Sequence, residues 1–444
     1  MIIAHIKRPD NKSRVKILYI ESGLAGGGSA ESLYQHLKVL DRTKYEPIVV
    51  FLNRNRYFES ISGIDVRCLV FFDWLYNKEF NEAHPELIKW ILRFKHRTSK
   101  RISFLSVIVE HLLHFSVIKR LKQLTLKENI DLIHTNNQVH RDFYAILAAR
   151  SKNIPCVSHI RSVNTEGFDK KKAELINNSV ERIITYSHGV AEYWINKGIN
   201  SKTINIVHNS IGPININGIN LHKEFGFNDS FATIGIVGRI IPVRNHMMLI
   251  NAFCKLLVKC PETQLLIVGE GLPKFVDPLI ERVNVLGISR NITFTGYYPQ
   301  ARKIIASLDV LVLPYTIEPF GRTLLEAWKL KTPVALSRVG YIEKIVQDTV
   351  NALLFDIDSE EQLINSLEKI LKNSQLRDKL IENGYQRCQK EFSMDIYSKK
   401  IEKIYDDILK DKGFSLKSAK TSIEVVHDIS VATPPGKKDN AIPF

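Results

Sequence analysis

Two arginines and two glutamates carry the strongest chemical pattern in the chain. Arg239 follows the apolar run 232–237 through Gly238, and Arg244 comes five residues later. Glu318 and Glu326 stand eight positions apart, with Gly321, Arg322 and Thr323 between them. A guanidinium is planar and always charged, so it matches phosphate oxygens in bidentate fashion. Two of them, fixed in place, stabilise charge growing on a phosphate leaving group as its bond breaks. A carboxylate can accept a pair of vicinal hydroxyls, as in dinucleotide-binding folds. A helix opening at Gly321 offers free N–H groups and a positive dipole end to an anion.

Such groups need rigid elements behind them. The strand 15–20 runs into the turn Gly26-Gly27-Gly28, and a helix follows over 30–40. Strand, glycine turn and helix open a nucleotide-binding α/β unit, where glycine lets the backbone approach a ligand closely. Short Ile- and Val-rich runs then predict strands at 46–52, 131–134, 155–160, 182–187 and 204–208. Apolar runs of this kind suit a parallel sheet covered on both faces. After a Gly-, Pro- and Asn-rich stretch a second series begins, with strands at 232–237, 264–268, 292–295, 310–313, 333–335 and 352–355. Arg239, Arg244, Glu318 and the Gly321 turn therefore follow carboxyl ends of strands, where open α/β sheets bind ligands. His134 and His159 stand at or beside such ends in the first half, with Asn136 just beyond His134.

With these landmarks in order, the chain resembles the GT-B retaining glycosyltransferases known as family 4. The resemblance rests on Gly238, Arg239 and Arg244, on the Glu318/Glu326 pair, and more weakly on Gly26-Gly27-Gly28 and Asn209-Ser210-Ile211. It implies two Rossmann-like parallel-sheet domains facing across a cleft, an α/β fold of GT-B type. It implies a nucleotide-sugar donor held by Gly27, Gly28, Gly238, Arg239, Arg244, Gly321, Arg322, Thr323 and Glu326. Catalysis would fall to Arg239, Arg244, Glu318 and His159, with Glu318 on the donor sugar's hydroxyls and Glu326 on the ribose. Relatives carry lysine where this chain has Arg244, and many carry a second histidine where it has Asn136. The implied reaction moves a sugar from a UDP- or GDP-sugar to a glycan or lipid-linked acceptor, as in lipopolysaccharide, capsule or exopolysaccharide synthesis. A UDP-sugar 2-epimerase of the same architecture is the alternative.

Length and charge agree. A chain of 444 residues suits two domains. The expected boundaries are 1–211 for the acceptor domain, 212–230 for a linker, 231–393 for the nucleotide-sugar domain, 394–410 for a helix crossing back, and 411–444 for a disordered tail. The formal charge of +15 points to an anionic partner. Nothing pairs the basic residues with the aromatics that stack on nucleic acid bases, so nucleic acid is not expected. Five scattered cysteines show no metal or redox spacing, and the first 16 residues lack an apolar signal core. These features suit the cytoplasm. Asp356-Ile357-Asp358 has the spacing of a metal-binding pair but precedes a helix, where it predicts a turn and cap. No metal cofactor is therefore expected. The stretch 71–127 breaks the alternation. Between Lys89 and Lys122 it holds nine Lys and Arg residues against one acid, around the apolar run 102–109. An in-plane helix on the inner face of an anionic membrane is the expectation there.

Overall fold

A computed structural model of the chain describes residues 14–23, 27–71, 84, 86, 112–139, 141–161, 163, 168–214, 216–318 and 320–413. Gly26, most of the basic stretch 71–127, including the run 102–109, and the tail 414–444 lie outside the described residues.

The first domain alternates strand and helix: β1 (Val15–Glu21), α1 (Gly28–Val39), β2 (Tyr45–Phe51), α2 (Tyr57–Ser62), β3 (Arg67–Val70), α3 (Phe115–Lys127), β4 (Leu132–Thr135), α4 (Phe143–Ser151), β5 (Cys156–Ile160), α5 (Lys170–Asn177), β6 (Arg182–Thr185), α6 (His188–Asn196) and β7 (Ile204–Ile206). Its seven strands run parallel in the order β3-β2-β1-β4-β5-β6-β7. Both faces of the sheet are covered, so the central strands are buried at nearly every position. The edge strand β3 was not apparent in the sequence, since half of its residues face solvent and it lacks an apolar run.

The second domain opens with α7 (Leu221–Phe225) and β8 (Ala232–Val237). It continues through α8 (His246–Lys259), β9 (Thr263–Val268), α9 (Pro273–Val285), β10 (Ile292–Gly296), α10 (Ala301–Ile305), β11 (Val310–Leu313), α11 (Arg322–Lys329), β12 (Val334–Ser337), β13 (Leu353–Phe355), α12 (Glu360–Lys372) and α13 (Ser374–Glu391). Its six parallel strands follow the order β10-β9-β8-β11-β12-β13. The stretch expected to be a bare linker contains α7, and Leu221 and Phe227 are buried in this domain's core.

The last helix, α14 (Met394–Asp411), packs on α1 of the first domain. Tyr397, Ile401, Ile404, Tyr405, Ile408 and Leu409 are buried with β1, β2 and α1. Full burial of an aliphatic side chain contributes roughly 1.5–3 kcal/mol, so this stripe anchors the chain's return. Lys44 and Tyr45 add an ion pair and a hydrogen bond to Asp406.

In both sheets the strand order reverses once, between β1 and β4 and between β8 and β11. A crevice forms outside the carboxyl ends of the strands at such a switch point. The ends of β1, β4 and β8 and the loop after β11 carry the residues that follow.

Candidate active site

The turn after β8 is shaped by Gly238, whose φ of +132° is closed to ordinary side chains. A Cβ there would overlap the Arg244 guanidinium, and one at Gly269 (φ +137°) would strike the Gly238 carbonyl. The backbone is thus bare where Arg244 folds back. Arg244 Nη1 donates to the Val237 carbonyl at 2.9 Å, and the guanidinium lies 5.2 Å from the Tyr315 ring centre. Arg239 is exposed. Among the described residues neither arginine has a carboxylate partner. Two cations without counter-ions at a switch point form an anion site by composition.

Glu318 enters from the loop after β11. Its Oε2 accepts the backbone N–H of Tyr341 at 3.1 Å, while Oε1 is buried without a partner. Gly340 (φ +64°) leaves room for this carboxylate. So does Gly189 in the first turn of α6, where a Cβ would stand 2.5 Å from Oε2. A carboxylate of the second domain therefore reaches a helix start of the first. An unfilled buried acceptor is costly unless a ligand donates to it.

Helix α11 begins at Arg322, after Gly321, with no side chain capping it, so its first N–H groups stay available. Glu326, one turn in, is held by two arginines. Arg302 Nε reaches its Oε1 at 3.1 Å and Arg322 Nη2 reaches the same oxygen at 3.3 Å. Both arginines also contact Glu31 Oε1 on α1 of the other domain, at 3.0 Å and 3.4 Å. Burial raises the Glu31 pKa, but the Tyr57 hydroxyl and the two arginines outweigh it and bring it down to about 2. Arg322 also lies against the glycine turn, since a Cβ on Gly28 would be 3.5 Å from its Cδ. Gly28, Arg322 and Glu326 thus come together across the cleft.

The first domain contributes a buried polar floor. Asn136 Nδ2 donates to Glu21 Oε2 at 2.6 Å and to the Ser29 carbonyl at 3.0 Å, while its Oδ1 accepts from Arg161 at 2.9 Å. Burial pushes the Glu21 carboxyl up, against its bonds to Asn136 and Gly23.

His159 does not join the cleft in this structure. It is fully buried between the sheet and α14, stacked on Tyr397, whose hydroxyl is 3.5 Å from its Nδ1. His134 is buried beside it and hydrogen-bonds Tyr405. Burial drives both imidazoles well below their usual pKa, so they are neutral. The reason is strand alternation, which turns both side chains to the α14 face with Leu132 and Val157. The cap of α12 falls on Ser359 rather than on either aspartate, and exposed Asp356 bonds Gln362. Glu21, Glu31, Arg161 and Arg302 were not singled out as site residues in the sequence. Arg161, two residues beyond His159, was the nearest signal.

Two facing Rossmann-like domains with an anion site at the second switch point define the architecture of a GT-B protein. The family model described as Glycosyl transferases group 1 matches residues 219–387, and that described as Glycosyltransferase Family 4 matches 26–213. The chain belongs to this glycosyltransferase family. It is 30% identical over 157 residues to the lipopolysaccharide core biosynthesis glycosyltransferase LpsE of Rhizobium meliloti, covering 35% of this chain and 44% of that one. It is 26% identical over 187 residues to the capsular polysaccharide biosynthesis glycosyltransferase CapM of Staphylococcus aureus, covering 41% and 48%. Less than half of either relative's length is matched. The crystal structure of Anabaena HepE in complex with UDP-glucose superposes with a TM-score of 0.69 at 18% identity, over 88% of this chain and 99% of that one. Among the described residues no helix is long and apolar enough to cross a membrane.

Proposed function

We propose that the chain transfers a sugar, with retention at the anomeric carbon, from a UDP- or GDP-sugar to a glycan or lipid-linked acceptor during synthesis of a cell-surface polysaccharide. One observation carries this reading: among the described residues Arg239 and Arg244 lie at the second switch point with no carboxylate partner. A nucleoside diphosphate supplies the missing negative charge. As the bond between sugar and diphosphate breaks, the bonding pair stays on the phosphate, and the arginines and the start of α11 stabilise it. The ribose hydroxyls meet the oxygen of Glu326 that the arginines leave free, and a sugar hydroxyl donates to Glu318 Oε1. No metal is needed in this scheme. The roles of LpsE in lipopolysaccharide core biosynthesis and of CapM in capsular polysaccharide biosynthesis support a surface polysaccharide as the product.

The reaction takes place at the inner face of the cytoplasmic membrane. Support comes from α3, the described end of the basic segment, which carries Lys119, Arg120 and Lys122 near exposed Phe115 and Leu126.

Incubation with radiolabelled UDP- and GDP-sugars tests the reading. Transfer to a glycolipid fraction, or slow donor hydrolysis, is expected. Inversion at C2 of free UDP-sugar would establish the epimerase instead, and failure to bind either nucleotide would remove both.

A further inference from the structure

The arginines at Glu326 do more than balance it. Arg302 is placed so that one edge of its guanidinium spans the cleft: Nε holds Glu326 Oε1 at 3.1 Å and Nη2 holds Glu31 Oε1 at 3.0 Å. Arg322 closes the ring through Nη2, at 3.4 Å from Glu31 and 3.3 Å from Glu326. Two carboxylates and two guanidiniums form a neutral four-charge cluster, with Glu31 alone supplied by the first domain. Glu31 itself is braced by Gln35 at 3.1 Å and by the Tyr57 hydroxyl. A second contact joins the same faces nearby, where Arg56 donates to the Tyr297 hydroxyl at 3.0 Å. Both arginine contacts to Glu326 fall on Oε1. Among the described residues its Oε2 has no partner, so the arginines fix the carboxylate and leave one oxygen for a ligand.

We propose that Arg302 is a positioning residue that couples donor binding to domain closure, by orienting Glu326 toward the nucleotide while latching it to Glu31 of the opposite domain. The proposal rests on the reading that Glu326 meets the ribose. Arg302 touches no reacting atom. When the domains part, Glu31 leaves the cluster and Arg302 and Arg322 carry one uncompensated charge between them. Closure removes that excess and sets Glu326 for the ribose hydroxyls. The contacts are partly exposed, with 31% of the Arg302 side chain accessible, so salt weakens them.

The test uses the full chain with Arg302→Gln, Arg302→Lys, Glu31→Gln and the Glu31→Gln/Arg302→Gln double variant. Small-angle scattering without nucleotide reads closure. UDP and GDP titrations with donor kinetics read positioning. The wild-type radius of gyration is expected to rise between low salt and about one molar salt, beyond the screening range. Both glutamine variants should be expanded already at low salt. Glu31→Gln should lower kcat about tenfold with the donor KM within about twofold, since it loosens closure but leaves Arg302 on Glu326. Arg302→Gln should raise KM and lower kcat, with partial rescue by Arg302→Lys. The double variant should fall short of the product of the two single effects, because both singles break the Glu31–Arg302 bridge and the double adds only the loss of the Arg322–Glu31 contact. Multiplying effects in the double variant would overturn the latch, as would wild-type scattering and kinetics for Arg302→Gln. Unchanged nucleotide affinity in Glu326→Gln would instead sink the ribose assignment, and the scattering arm would still judge the latch.

Discussion

The sharpest perturbation removes or displaces Arg244 by two independent routes. Arg244→Ala deletes a guanidinium held by one backbone hydrogen bond, at 2.9 Å, and by the Tyr315 ring. A hydrogen bond of this kind contributes about 1 kcal/mol and a cation over an aromatic ring about 0.5–1 kcal/mol. The folding cost is therefore about 1–2 kcal/mol. The catalytic cost is larger, because a preorganised charge stabiliser accounts for about 10²–10³ in rate, or 2.7–4 kcal/mol. Gly238→Ala keeps the charge but expels it, since the new Cβ falls inside the guanidinium at a φ of +132°. Backbone strain of this type adds about 1–3 kcal/mol to its folding cost. Both variants should lose about 10²–10³ in kcat/KM with the donor that wild type accepts. The Gly238→Ala/Arg244→Ala double variant should be no slower than Arg244→Ala, as both act through one group. Arg244→Lys retains a charge and should keep much of the rate. Donor turnover and thermal melting are measured together on each protein. A folded Arg244→Ala within threefold of wild type, or a double variant in which the losses multiply, would refute the assignment.

Four further outcomes follow from the same geometry. Glu318→Gln should lower kcat by about 10²-fold while nucleotide affinity stays within about threefold, because the buried Oε1 awaits the sugar rather than the base; equal losses in UDP or GDP binding would contradict this. EDTA should leave most activity if, as proposed, the diphosphate is held by arginines and a helix start; complete loss restored by Mn²⁺ would reverse that view. Acid should cost the fold stability through its buried histidines, against the buried Asp142 and Glu21 carboxyls, which burial pushes up. Burial depresses His36 to about 3 and His246 to about 4 from 6.5, so their contribution is full above pH 6.5 and lost as pH falls toward 4; a folded His246→Gln variant whose melting temperature falls from pH 7 to 4.5 as steeply as that of wild type would rule this out. Vesicle co-sedimentation should require anionic lipid and weaken with salt, with Lys119, Arg120 and Lys122 changed to Glu reducing it; equal recovery on neutral vesicles would end the membrane proposal.

Most of the fold was legible because parallel strands buried on both faces must be written as apolar runs. The runs at 310–313 and 232–237 match β11 and β8 residue for residue. The edge strand β3 escapes that rule. β3 exposes Arg67 and Val70, so its four residues carry no pattern that a loop could not. Likewise α7 is five residues long and anchors through Leu221 with Phe227 beyond it, too few positions to establish a helical period.

The site divides along a similar line. The placement of Arg239, Arg244, Glu318 and Glu326 was legible because each belongs to a local segment, strand then turn then helix start, whose glycines mark where backbone must stay bare. Position along the strand was also legible for His134 and His159, but not the face they turn to. That face is set by α14, which arrives from more than 200 residues away and covers one side with Tyr397 and Tyr405. The bridge from Glu31 to Arg302 joins positions 271 residues apart in different domains, and no local pattern encodes it. What one domain does alone can be read from its strand ends. What requires both domains together, which includes the proposed closure over the donor, is carried by isolated charges whose partners only the assembled cleft supplies.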